Sequence, residues 1–141
     1  MNLSPHFTLA EMTVSQTAAR NGIDNTPTHE VLARMRKTAQ GLEAVRTVLG
    51  GAPIIISSGY RSPAVNAAVG GAKASQHLTG EAVDFTAPRF GSVVDVFDAI
   101  RRSGIKYDQI IQEFGSWVHI SFSDKPRGQA LIIDSNGTRP A

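Results

Sequence analysis

The sequence predicts an α+β domain: a small, mainly antiparallel sheet with N-terminal helices packed on one of its faces. Three observations predict it. Apolar residues recur at helical spacing between Thr28 and Leu49, short strand-like runs crowd the second half of the chain, and a single further helical pattern interrupts them.

The segment before residue 28, "FTLAEMTVSQTAARNGIDN", has room for one or two short helices. Val31, Leu32, Met35, Ala39, Leu42, Val45 and Leu49 then form one apolar stripe, with Thr26-Pro27 as the expected cap and first position and Gly50-Gly51 as the stop. "PIIIS", residues 53–57, is a β-branched run that reads as a buried strand, and "SGYRSP" places Tyr60 and Arg61 where that strand gives way to a loop. Residues 62–81 are rich in Gly, Ala and Ser and read as a long loop, or a short helix plus loop, of the kind that serves function. "EAVDFTA" is the next strand. Ser92, with Asp95 three residues on, opens a second helix that Gly104 stops. "YDQIIQEF", "WVHISFS" and "QALIID" read as three strands, and "SNGTRPA" as a frayed tail. The expected division is one domain over residues 1–133 and a flexible tail over 134–141.

Composition narrows the function. Fourteen Lys plus Arg against twelve Asp plus Glu leave a charge of +2, and no basic run exceeds Arg101-Arg102, so nucleic acid is not an expected partner. Cysteine is absent, so any metal site must use His and carboxylate. No stretch approaches the roughly 18 apolar residues of a membrane span, and the N-terminus lacks the pattern of a secretory signal. The chain is expected to be made in the cytoplasm without a signal peptide.

One stretch carries chemistry. In "SQHLTGEAVDF" Asp84 sits within a strand that otherwise enters a core. Alternation puts Val83 and Phe85 on one face and Ala82, Asp84 and Thr86 on the other. The same alternation in "WVHISF" puts His119 with Trp117 and Ser121, opposite Val118, Ile120 and Phe122. If the two strands pair, Asp84 and His119 meet. His77 lies seven residues before Asp84, about 23–25 Å if extended, so the chain must double back, and Thr79-Gly80 supplies the bend. Two imidazoles and one carboxylate leave one tetrahedral position for water, the donor set of a catalytic zinc. Each residue also has a plainer reading. Either histidine can be a hydrogen-bonded structural group, and Asp84 a turn former or the partner of an arginine. His6 and His29 read as surface residues.

"SQHLTGEAVD" resembles the Ser-x-His-x-x-Gly-x-Ala-x-Asp signature of the zinc D-alanyl-D-alanine carboxypeptidase family, which includes phage endolysins, and "WVHIS" resembles its second histidine motif. "SSGYRSPAVNAAVGGAKASQH" and "FTLAEMTVSQTAARNGIDNTP" are similar to its phage-type branch, so the likeness runs from residue 3 to about 133. It implies a fold related to the hedgehog signalling domain, one zinc ion held by His77, Asp84 and His119, a general base, and an arginine for the substrate's carboxylate. Many relatives carry the base as Glu three residues before the second histidine, where this chain has Ser116. Glu113 is the substitute, since the hedgehog domain has a glutamate at its spacing. Whether it reaches the site depends on hairpin register: a three-residue loop pairing it with Trp117 turns it toward His119's face, and a two-residue loop would present Gln112 instead. A solvated strand-end carboxylate is its plainer reading.

Arg61 resembles the carboxylate-binding arginine, with a loop arginine as its alternative. Tyr60, Ser75 and Trp117 are expected around ligands or substrate. The expected function is zinc-dependent hydrolysis of a peptide bond in the stem peptide of bacterial peptidoglycan, by a monomeric enzyme of phage or prophage origin that reaches the wall through a holin or from a virion. The alternatives are a non-catalytic wall-binding or virion module and a hedgehog-like interaction domain.

Overall fold

A computed structural model describes residues 1–141. The chain begins with a two-stranded antiparallel ribbon, β1 (Asn2–Ser4) and β2 (Phe7–Thr8), which the sequence did not announce. Leu3 and Phe7 are buried in the core. α1 (Leu9–Met12) starts in a capping box between Thr8 and Glu11, and α2 (Gln16–Asn21) is capped by Ser15 and ends at Gly22.

The long helix α3 (His29–Val48) begins at a Thr28 cap rather than at Thr26-Pro27. The Asp24 carboxylate accepts from the Thr26 amide at 2.9 Å, which turns that segment away from helical geometry, while the Thr28 hydroxyl accepts from Val31. The predicted stripe is buried at Val31, Met35, Ala39, Leu42 and Val45.

β3 (Ile55–Ser58) corrects the expectation of a buried strand. It lies at the edge of the main sheet with only β4 beside it, so Ile54 just before it is buried while Ile55 is 54% exposed. A β-branched run reports strand preference, not the number of neighbours. α4 (Pro63–Ala68) follows, with Ser62 as cap and Pro63 in its first turn. Next come β4 (Ala82–Thr86), α5 (Val93–Ser103) with the Ser92–Asp95 capping box, β5 (Gln109–Glu113) and β6 (Trp117–Ser121). β7 (Gln129–Asp134) is followed by β8 (Gly137–Pro140), so residues read as a frayed tail turn at Ser135-Asn136 and pair with β7. Arg139 also meets Asp134 at 2.8 Å.

The six-stranded sheet has the order β3-β4-β6-β5-β7-β8, and every pairing is antiparallel except β5 with β7. The domain is α+β, as expected. Val83 pairs with Ile120 and Phe85 with Val118, and with Ile110 these residues join the core formed with α3 and α5. Each such side chain contributes about 1.5–3 kcal/mol by its burial. The opposite face carries Asp84, His119, Ile111 and Glu113. No helix is long and apolar enough to cross a membrane.

Candidate metal centre

Asp84 and His119 are direct cross-strand partners. The Asp84 carboxylate lies between two imidazoles, with Oδ1 2.9 Å from His119 Nδ1 and 3.4 Å from His77 Nε2. The rings of His77 and His119 stand edge to face, 5.2 Å between centroids. One donor atom from each of the three residues lies within 4.8 Å of the others. The side chains of His77, Asp84 and His119 are 5%, 11% and 12% exposed, so the group is almost dry.

His77 reaches this position because the chain bends as the glycine at position 80 permits. Gly80 has φ +78°, and its amide closes the turn on the His77 carbonyl. A Cβ there would lie 2.7 Å from Met35 Cγ, so the bend is also pressed against α3. Arg34 Nε donates to the Thr79 carbonyl at 2.9 Å and the Thr38 hydroxyl to the Gly80 carbonyl at 2.8 Å. Ser75 accepts from the His77 amide at 3.2 Å through its Oγ, and so orients the histidine's backbone.

The ring of His77 donates from Nδ1 to the Gly59 carbonyl at 2.7 Å. That bond fixes the orientation of the ring and points Nε2 at Asp84. Nε2 and the carboxylate oxygen, 3.4 Å apart, attract one another only through a proton or a cation held between them. The donor set therefore fits a small divalent ion, with nitrogen and oxygen ligands of the kind zinc takes. Burial alone would push the Asp84 carboxyl up, but the hydrogen bonds and charges of His119 and His77 outweigh it and hold the group far below the usual carboxylate range.

Glu113 pairs with Trp117 across the β5–β6 hairpin, so the loop has three residues and Glu113 stands on the face of His119. It is half-buried, and desolvation followed by the charge of Asp84 raises its pKa, against the opposing influence of His119, His77 and Arg61. Trp117 is partly buried, its indole Nε1 has no hydrogen-bond partner, and its ring lies 6.3 Å from that of Phe114. Arg61 extends Nη2 to 3.8 Å from Asp84 Oδ2, with Ser58 Oγ at 3.3 Å from Nε and Asn66 Oδ1 at 3.5 Å from Nη1. It also lines a groove of about 200 Å³ with Ser57, Ser58, Val65 and Val69.

Tyr60, expected beside the substrate, is instead 5% exposed within the hydrophobic core. Its amide donates to the Met12 carbonyl at 2.8 Å and its carbonyl accepts from Asn25, so the chain turns inward there. Sequence reasoning missed the Gly59 carbonyl, because a backbone acceptor has no side-chain signature. It also missed Gln76 and Asp108, whose contact spans 32 residues.

A search among curated proteins finds no match. Residues 5–121 match the family described as Peptidase M15, and that match spans both histidine segments, Asp84, Arg61 and Glu113. The chain therefore belongs to the Peptidase M15 family of zinc D-alanyl-D-alanine carboxypeptidases and endolysins.

Proposed function

We propose that this chain is a zinc-dependent peptidase that hydrolyses a peptide bond in the stem peptide of bacterial peptidoglycan, either D-alanyl-D-alanine or L-alanyl-D-glutamate. The observation that carries the reading is the buried Asp84 between two imidazoles, with a half-buried carboxylate and an arginine on its flanks. Membership of a zinc peptidase family supports the same reading.

His77 Nε2, His119 Nδ1 and an Asp84 oxygen would hold one zinc ion. When bound, it supplies Lewis acidity and brings the pKa of water toward about 7. The chain's own residues do the rest. Glu113 receives the proton of the attacking water on its carboxylate and returns one to the departing amine. Its raised pKa makes the carboxylate a stronger base and brings its two protonation states closer to the working pH, which suits a group that must both take and return a proton. Arg61 presents a planar fork to the substrate's free carboxylate and so sets the distance from that group to the bond cut. Trp117 forms a wall beside Glu113 and limits access of bulk water.

In this reading the protein is a monomeric lysis enzyme of phage or prophage origin that reaches the wall through a holin or from a virion. The test is zinc content together with mass spectrometry of fragments from a defined muropeptide. Release of D-alanine or of the alanyl-glutamate cleavage product, abolished by chelation and restored by zinc, is the expected result. A zinc-loaded protein that binds wall material and releases no fragment would instead make it a binding module.

A further inference from the structure

Outside the donor set, the most fully satisfied buried charge in the molecule is Asp108, which is 3% exposed. Its Oδ1 accepts from the Arg127 amide at 2.9 Å and from Arg127 Nε at 3.0 Å. Its Oδ2 accepts from Arg127 Nη2 at 2.7 Å and from Gln76 Nε2 at 2.8 Å. The Asp108 amide donates to the Ser121 carbonyl at 2.8 Å, and its own carbonyl accepts from Gln129 at 3.0 Å. One residue thereby joins the bend before β4, the end of β6 and the start of β7.

Two of those segments carry metal donors. Gln76 immediately precedes His77, and Ser121 lies two residues after His119. Gln76 is also the corner of the bend, since its carbonyl accepts from the Thr79 hydroxyl at 3.1 Å and from the Glu81 amide at 3.0 Å. The far side of the bend is fastened to α3 through Arg34 and Thr38. The near side is fastened to the sheet through Gln76 and Asp108.

We propose that Asp108 is a positioning residue for the metal centre: through Gln76 it holds the His77 bend in register with His119, and Arg127 holds that carboxylate in place. The metal arm of this inference rests on the zinc reading above; the ordering of the bend does not. The substitution that isolates the link is Gln76→Ala, because it leaves the Asp108–Arg127 pair intact and buries no unpaired charge. Residues that orient metal ligands typically change affinity about 10- to 100-fold when removed.

Gln76→Ala is expected to weaken zinc binding about tenfold in a chelator competition, and to shift the visible absorption bands of the cobalt-substituted protein. Thermal unfolding of the metal-free protein should stay close to wild type. Asp108→Asn should weaken zinc binding as well, and the double variant should be no worse than Asp108→Asn alone. Hydrogen exchange on the metal-free protein supplies an independent readout: Gln76→Ala should lower protection of the Gly80 and Glu81 amides selectively. Wild-type zinc affinity with wild-type protection of those amides in Gln76→Ala would overturn the inference, as would losses that are additive in the double variant. If the wild-type protein bound neither zinc nor cobalt, the metal reading would fall, and exchange at Gly80 and Glu81 would still decide whether Asp108 orders the bend.

Discussion

Glu113 sits directly opposite Trp117, and the three residues between them include Phe114 with a left-handed φ of 55°. A non-glycine residue there costs on the order of 1–2 kcal/mol. The loop length it permits decides which side of β5 faces the histidines. With Glu113 paired to Trp117, Ile111 pairs to His119 and the carboxylate shares their face. A loop one residue shorter would have put Gln112 there, and an amide cannot take a proton.

Glu113→Gln is therefore expected to lower kcat about 10²- to 10⁴-fold, the usual worth of a positioned acid–base group. Zinc affinity should stay within about twofold, because Glu113 is not one of the three clustered donors. Steady-state kinetics on a muropeptide, paired with a zinc titration of the same sample, checks both halves. Retained turnover would move the base elsewhere.

Acid stability isolates the second buried carboxylate. Hydrogen bonds from Arg127 foremost hold Asp108 at about 2, below its ordinary 3.8. A depressed carboxyl stabilises the fold fully above its unfolded value and loses that contribution as pH falls toward the folded value. The stability difference between wild type and Asp108→Asn should be constant above about pH 5 and shrink between about pH 4 and 2. Because Arg127 is 54% exposed, the part that titrates is about 1–2 kcal/mol rather than the full linkage value. Urea unfolding of metal-free protein at several pH values measures it.

How much of this was legible follows from the range of each signal. Asp84 and His119 could be set on one face because strand alternation is local and strict, and His77 followed from a motif that spans only ten residues. Glu113 was legible only up to a loop length, which depended on a positive φ at Phe114 that composition does not announce. The burial of Tyr60 was not legible because the turn that sends it inward is made by its own amide on the Met12 carbonyl and by the Asn25 side-chain amide on its carbonyl, neither of which has a pattern in the sequence. The parallel pairing of β5 with β7 and the addition of β8 were hidden for a related reason: alternation names strands, not neighbours.

Gly80→Ala tests the bend itself. The new methyl group would meet Met35 Cγ at 2.7 Å and Val31 Cγ1 at 3.0 Å, and the backbone would have to keep φ +78°. A loss of about 2 kcal/mol or more in metal-free stability is expected from the clash and the strained φ together. Zinc affinity should fall as well, because the same turn carries His77. Urea unfolding and zinc titration read the two effects separately. A variant with normal stability and normal affinity would show that the bend tolerates another geometry.

Arg61 has two candidate duties, and a conservative substitution separates them. Its partners lie at 3.3–3.8 Å, so its donors are loosely engaged and remain free for an incoming carboxylate, yet Nη2 also faces Asp84 Oδ2. Lysine in its place preserves the positive charge near Asp84 and loses the planar fork. If Arg61 binds substrate, Arg61→Lys should raise KM about 10- to 100-fold for a peptide with a free carboxylate, matching the roughly 1.5–3 kcal/mol of a charged hydrogen bond. With the same peptide capped as a carboxamide, wild type and variant should converge, and zinc affinity should be unchanged. If Arg61 serves only Asp84, both peptides would be affected equally and the loss would appear in zinc binding. Kinetics on the capped and uncapped pair, with one zinc titration, therefore decide whether this arginine belongs to the substrate or to the metal centre.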